Sequence, residues 1–186
     1  MSVLVLVAPG SEEIETVAIV DTLVRASIEV VLASCCPHGE RQIKASRGVH
    51  LVADCHIDEL TRRDFEAIVV PGGLLGSQVI RDTPLAIDLL KEQATLGRWR
   101  AAICAAPVVV LQYHGLLEGA IVTCHPGFQS QLEISQLSHE RVVRDAAHRL
   151  ITSQGPGSAI EFALELVRVL RGDDVATAVA GPMVLP

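Results

Sequence analysis

The sequence predicts an α/β protein: a three-layer α/β/α sandwich built on a mostly parallel sheet. Hydrophobic residues make up 49% of the 186-residue chain, yet Phe, Trp and Tyr together supply only 3%. The core is therefore built mainly from Val, Leu, Ile and Ala, as in a sheet covered by helices on both faces. Short apolar runs alternate with segments of helical periodicity along the chain. No internal repeat, linker or low-complexity stretch interrupts them, so residues 1–186 are expected to form one domain with a substantial core.

The elements follow in order. Residues 2–8, SVLVLVA, are an apolar run and predict a buried first strand. Glu12 to Ala26 has helical character, with Ile14, Val17, Ala18, Asp21, Leu23 and Val24 tracing one mainly apolar stripe. Ser11 is the expected cap of that helix, and Glu12, Glu13 and Glu15 crowd its positive end. Ile28 to Ser34 is a second buried strand. Arg41 to Asp54 contains two short extended runs around Ser46-Arg47-Gly48, a hairpin expected to attach to the main sheet. Ala67 to Val70 runs into the turn Pro71-Gly72-Gly73, and helices are expected over Leu74–Arg81 and Pro84–Leu96. Trp99 to Ile103 is the next strand, followed by a helix from Pro107 to Tyr113 and a strand from Ile121 to Cys124. Arg141–Asp145 and Arg149–Thr152 read as a β-hairpin. The last long helix follows Gly155-Pro156-Gly157, with Ile160, Ala163, Leu164, Val167 and Leu170 at helical spacing.

Composition also excludes function classes. A formal charge of −7 gives a nucleic-acid role no electrostatic support, so nucleic acid is not expected as a stable ligand. No Lys/Arg block suits an anionic membrane surface. The first apolar run is too short to span a bilayer and lacks a basic leader, so no membrane association is expected. The five cysteines, Cys35, Cys36, Cys55, Cys104 and Cys124, are odd in number and show no C-x-x-C spacing. A disulfide framework or structural zinc site is not expected, and the natural compartment is a reducing cytoplasm.

Functional groups of such sheets collect at the carboxyl ends of the strands. Four ends carry conspicuous residues: Pro9-Gly10 with Glu12–Glu15, Gly72-Gly73, Cys104 and His125. Cys104 lies in AAICAAP (101–107), between an apolar strand and a helix whose first turn holds Pro107. Small neighbours permit the strained turn of a nucleophile elbow. Backbone N–H groups and the positive helix end there favour a thiolate. A buried thiol is usually only a small hydrophobe, and on these residues alone the two readings stand level.

Glu15 is placed to hydrogen-bond that sulfur or to shuttle protons. A lone first-turn acid is more commonly solvated, and Glu12 and Glu13 compete for the role. Gly72 and Gly73 offer backbone N–H groups to an oxyanion or a sulfinate, although glycines also end strands for steric reasons alone. His125 is a candidate general base with no obvious third residue to orient it; the ordinary reading is a surface-loop histidine. A metal site from Cys104, Cys124 and His125 lacks regular ligand spacing. Gly155-Pro156-Gly157 lacks the Lys-Ser/Thr of a phosphate loop and reads as helix entry.

Taken together, the segments resemble a family. APGSEEIETV (8–17), SRGV (46–49), VVPGG (69–73), AAICAAP (101–107), VTCHP (122–126), LITSQGPGSAIEFAL (150–164) and AGPMVLP (180–186) are similar in order and spacing to the ThiJ/PfpI superfamily. Within it they most resemble the parkinsonism-associated deglycase/YajL branch. The resemblance implies a flavodoxin-like sandwich that forms a homodimer. It places Cys104 where the family keeps its reactive cysteine, Glu15 at the glutamate that hydrogen-bonds the sulfur, and His125 at a nearby histidine. Gly72, Gly73 and Ala105 are the expected backbone positions at the sulfur. Arg47 and Arg25 fall where the family keeps arginines beside the dimer-proximal anion pocket, and Pro156 lies in the loop behind the site.

Two departures matter. Ala45 and Val52 stand near the place where a relative has a second cysteine close to the dimer interface, and Cys55 is displaced from it. Ala105 follows Cys104, where the peptidase branch has the histidine of a Cys–His–acid triad, which argues against peptidase activity.

The activity so implied is a cofactor-independent, metal-free hydrolase or lyase. It would be a cysteine-dependent protein/nucleotide deglycase or a glutathione-independent glyoxalase, acting on methylglyoxal, glyoxal and their early adducts and protecting against oxidative stress. Small dicarbonyls or glycated proteins are the expected partners. The alternative is a non-enzymatic redox sensor or chaperone that uses the Cys104 sulfinate. Both use the same residues, and turnover separates them. Thiamine-pathway chemistry, attached to the superfamily by name, finds no support in these residues.

Overall fold

All six residues of the first strand, β1 (Ser2–Val7), are fully buried. A computed structural model describes residues 1–61, 64–132 and 135–185. Side-chain alternation sends Val3, Val5 and Val7 to one face of β1 and Leu4 and Leu6 to the other. The valines share an apolar cluster with Ile19 and Leu23 of α1 (Glu13–Arg25) and with Phe162, Leu166 and Val167 of α4 (Ala159–Arg171). The leucines cluster with Ile80 of α2 (Leu74–Arg81) and Leu89 and Leu90 of α3 (Pro84–Thr95). Because both faces are covered, the strand reads as a continuous apolar run. Each fully buried Val or Leu contributes about 1.5–3 kcal/mol.

The remaining strands are β2 (Glu29–Ser34), β3 (Gln42–Lys44), β4 (His50–Val52), β5 (Cys55–His56), β6 (Ala67–Val70), β7 (Trp99–Ile103), β8 (Val142–Asp145) and β9 (Leu150–Ser153). Among the described residues, seven strands form the main sheet in the order β5-β2-β1-β6-β7-β9-β8. Every pairing is parallel except β8 with β9. This is the mostly parallel, flavodoxin-like sandwich that the sequence predicts. The chain builds outward from β1 through β2 and β5, then returns to add β6, β7 and β9 on the other side. The carboxyl ends of β1 and β6 flank that reversal, the crevice where such sheets bind ligands.

Several local expectations are corrected. The hairpin of β3 and β4 is a separate two-stranded sheet, not part of the main one. The main sheet has no vacancy for it beside β2, which pairs with β1 on one edge and β5 on the other. The hairpin hangs instead on the loop after β1. Gly10 N–H donates to Lys44 C=O and Ser46 N–H to Ser11 C=O, each at 2.9 Å. Ser46 Oγ and Arg47 N–H both donate to the Glu13 carboxylate at 2.8 Å.

The expected strand at Ile121–Cys124 is reduced to one parallel bridge between Val122 and Leu137. Both edges of β9 are taken by β7 and β8, so Thr123 N–H reaches only the Thr152 hydroxyl, at 2.9 Å. The helix after Cys104 is π-helical over Pro107–Gln112. Glu12, not Ser11, caps α1; Ser11 Oγ accepts from Ala8 N–H at 3.0 Å. The single stripe expected of α1 splits into two faces, with Ile19 and Leu23 buried and Ile14, Val17 and Val24 exposed. At the C-terminus, Gly172 (φ +91°) ends α4 and turns the chain into α5 (Asp173–Ala180), which the sequence reading did not anticipate.

Burial pushes the Glu13 carboxyl up, but hydrogen bonds from Ser46 and backbone N–H groups leave it below its ordinary value. The stabilisation from this anchor is complete above the unfolded carboxyl's value and is lost as pH falls through the folded one. Glu13→Ala is expected to speed exchange of the Arg47 amide by about tenfold or more, leaving the β1 amides protected. Native-state hydrogen exchange measures this, and equal protection in the variant would mean that the hairpin is anchored elsewhere.

Candidate active site

Cys104 follows β7 directly and adopts φ +65°, a conformation that is costly for any residue but glycine. Its neighbours fix both of its peptide groups. Cys104 N–H donates to Ser153 C=O, and Cys104 C=O accepts from His125 N–H, each at 2.9 Å. Gly72 leaves the necessary space. A Cβ there would lie 2.5 Å from the Cys104 Cβ and 2.6 Å from Glu15 Oε2. The small residues of AAICAAP thus make a tight turn that presents the thiol at the switch-point crevice.

The three adjacent glutamates separate by position. Glu12 Oε2 accepts from Glu15 N–H at 2.7 Å and caps α1. Glu13 holds the hairpin. Glu15 is fully buried; its Oε2 accepts from Gly72 N–H at 2.7 Å, and its carboxyl stands beside the Cys104 side chain, both crowding the space in front of Gly72. Glu15 Oε1 is buried with no hydrogen-bond partner among the described residues. Burial pushes the Glu15 carboxyl up to about 7, against the pull of the Gly72 N–H and with the Glu12 charge adding to the rise.

Burial and the charge of an ionised Glu15 push the Cys104 thiol up to about 12, while N–H groups of Gly73 and Ala105 pull it down. The amides anticipated at the sulfur do not by themselves outweigh burial. The two acids titrate as a pair. With the proton on Glu15, its O–H donates to the sulfur and the repulsion from its charge disappears. A thiolate at this site therefore goes with a protonated Glu15. The Gly72 amide is corrected in its role: it holds Glu15 rather than facing the sulfur.

A cavity of ≈ 510 Å³ opens at Cys104, with Arg47, His125, Ile14, Leu74, Leu75 and Pro156 in its wall. His125 is exposed, and its Nδ1 accepts from Gly127 N–H at 3.1 Å. The neutral ring then carries its proton on Nε2, so Gly127 supplies the orientation that no sequence-stretch had suggested. Phe128 meets the His125 ring edge-on, centroids 6.3 Å apart. Sequence reasoning passed over Phe128, Leu74 and Leu75, although each lies within three residues of a motif glycine or histidine.

Within one chain Arg25 does not line this cavity. It lies in the last turn of α1, paired with Asp21 at 2.7 Å, roughly 18 Å along the helix from Glu13. Burial pushes the Cys35 and Cys124 thiols up to about 12 and about 11, and it raises the half-buried Cys55 too. Among the described residues no three His, Cys, Asp or Glu side chains converge as a metal site.

Because Glu15 is raised, the folded protein holds a proton between about pH 4.5 and 7 that the unfolded chain has released, and stability falls as pH rises through that window. Glu15→Gln is expected to remove this slope, gaining about 3 kcal/mol over the native chain at pH 8 and little at pH 4. Urea unfolding at the two values reads the difference, and an unchanged slope would show that Glu15 holds no such proton.

Residues 1–169 match the model of the DJ-1/PfpI family. The Caenorhabditis elegans protein named glutathione-independent glyoxalase DJR-1.2 is 34% identical over 188 residues, 99% of this chain and 96% of that protein. Protein DJ-1 homolog B of Arabidopsis thaliana is 41% identical over 170 residues, 91% of this chain, and the chain spans 38% of that relative's length. The structure of oxidized Toxoplasma gondii DJ-1 superimposes with a TM-score of 0.94 at 41% identity, covering 98% of this chain and 97% of that one. Matched along most of its length by the family model and by relatives at these identities, the chain belongs to the DJ-1/PfpI family.

Proposed function

We propose that the protein is a cysteine-dependent enzyme acting on methylglyoxal, glyoxal and their early adducts, a glutathione-independent glyoxalase or a protein/nucleotide deglycase, working as one domain over residues 1–186. The observation that carries this reading is an elbow cysteine with a fully buried carboxyl set beside it, which burial raises to about 7. A group poised there can both accept and return a proton at neutral pH. Similarity to a relative named as a glutathione-independent glyoxalase supports it.

The chemistry balances without an external electron carrier. The Cys104 sulfur attacks the aldehyde carbon of methylglyoxal, a C–S bond forms, and the carbonyl oxygen takes up a proton to give a hemithioacetal. Glu15 removes the proton from that carbon and returns it to the neighbouring ketone carbon, with His125 exchanging protons at the oxygens. The first carbon is oxidised and the second reduced, leaving a thioester of lactate. Water cleaves the C–S bond, lactate departs, and the thiol is restored. Gly73 and Ala105 N–H groups hold the sulfur's charge as it leaves. On a glycated side chain the same attack frees the amine or thiol. Neither a metal nor an organic cofactor takes part.

A second reading, a redox sensor or chaperone working through the Cys104 sulfinate, is supported by the oxidized state of the T. gondii relative's structure. Direct lactate quantification in glutathione-free methylglyoxal separates the two. Many turnovers per enzyme, abolished by Cys104→Ala, are expected. Lactate that never exceeds the enzyme concentration would sink the catalytic reading and leave the redox one.

The homodimer is assigned to the outer face of α1, where Ile14, Val17 and Val24 lie exposed beside Leu51 of the hairpin. Exposed apolar residues in such a patch mark an interaction surface. A reducing cytoplasm suits the free thiols. Val17→Glu is expected to convert the dimer to monomer in analytical ultracentrifugation; a native chain that sediments as monomer would refute the assignment.

A further inference from the structure

Methylglyoxal has five heavy atoms and occupies roughly 150 Å³, at about 30 Å³ each by analogy with water's share of the liquid. The cavity at Cys104 is far larger, at ≈ 510 Å³. It does not stand alone. Leu75 is also a wall of a second cavity of ≈ 650 Å³, enclosed by Cys36-Pro37 after β2, Ile57-Asp58 after β5 and the segment from Gln78 to Leu85. The Leu75 Cβ packs where only a glycine fits, since a Cβ on Gly10 would lie 2.7 Å from it. Leu75, a wall of both cavities, is thereby fixed between them with an exposed side chain.

The second cavity has its own chemistry. Ile57, Val79 and Leu85 give it an apolar lining, and no Lys or Arg is among its lining residues within the described part of the chain. Its carboxylates are Asp82, which is paired with Arg81, and Asp58, which is largely exposed and faces the His56 ring at 3.4 Å. An anionic arm would meet Asp58, and no Lys or Arg among the described lining residues offsets that charge. A cationic arm would gain a partner.

We propose that the cavity beyond Leu75 seats the rest of the substrate, and that this arm is an aliphatic chain with a cationic end. The occupant is a basic side chain beside the glycated group of a peptide, and phosphate-bearing nucleotide adducts are disfavoured. The inference rests on the proposed carbonyl chemistry at Cys104, but it is tested without it.

N-substituted iodoacetamides with methyl, pentyl, 5-aminopentyl and 5-carboxypentyl arms are reacted with the purified protein, each rate being normalised to its rate with glutathione. The S–C bond forms as iodide leaves and the thiol proton passes to solvent, so no turnover is needed. Peptide mass mapping isolates Cys104 from Cys55. The aminopentyl reagent is expected to react about tenfold faster than the carboxypentyl one, and pentyl faster than methyl. Asp58→Asn should shrink the amino-to-carboxyl ratio about threefold or more, whereas Glu118→Gln with Glu140→Gln, which changes only the general field, should not. Gln78→Trp and, from the β2 side, Pro37→Trp should each bring the pentyl-to-methyl ratio toward one. Ratios that are equal in the native chain and all variants would overturn the arm site whether or not lactate forms. Intact ratios without lactate turnover would overturn the reaction and leave the site standing.

Discussion

Glu15 lies fully buried beside Cys104, with one carboxyl oxygen on the Gly72 amide and the other without a hydrogen-bond partner among the described residues. That placement constrains everything around it. A buried carboxylate with an unmatched oxygen is costly to ionise, so the group holds its proton to near neutrality beside the sulfur. Gly72 must be glycine because any side chain would occupy the same space as the pair. Glu12 stands close enough to raise Glu15 further while capping the helix that carries it. The site is assembled around a proton rather than around a free thiolate.

The fold supplies the rigidity this requires. A left-handed cysteine persists only where its surroundings over-determine it, and here β9 takes its N–H while the segment after Cys124 takes its C=O. Both partners come from parts of the chain distant in sequence, and parallel pairing brings the first of them, in β9, beside β7. The same topology places the ends of β1 and β6 on either side of the reversal in strand order. The loop after β1 serves twice there, feeding Glu15 into the pocket and suspending the hairpin that bears Arg47.

The hairpin and α1 show how a sequence pattern can be correct in kind and incomplete in consequence. The extended runs around Ser46-Arg47-Gly48 do pair, but hydrogen-bonding vacancies on the main sheet depend on β5, a two-residue strand too short to leave a pattern. The apolar residues of α1 are helical in period, yet periodicity does not distinguish a stripe facing the core from one facing out. Ile14, Val17 and Val24 take the second position, and one helix thereby acquires two apolar faces.

The sequence by itself determined the layered α/β architecture, the order of its main strands and helices, and the family. Apolar runs and helical spacing are local properties that burial on both sheet faces imposes directly, and the motifs stand in fixed order along the chain. Which of three neighbouring glutamates meets the sulfur was decided only in the tertiary structure. Successive residues of a helix point about 100° apart, so Glu12, Glu13 and Glu15 diverge to a cap, a hairpin and a cysteine. Arg25 was separated from the cavity by the length of the same helix. The partition at Leu75 likewise belongs to the folded state alone, because it exists only where loops after β1, β2, β5 and β6 meet.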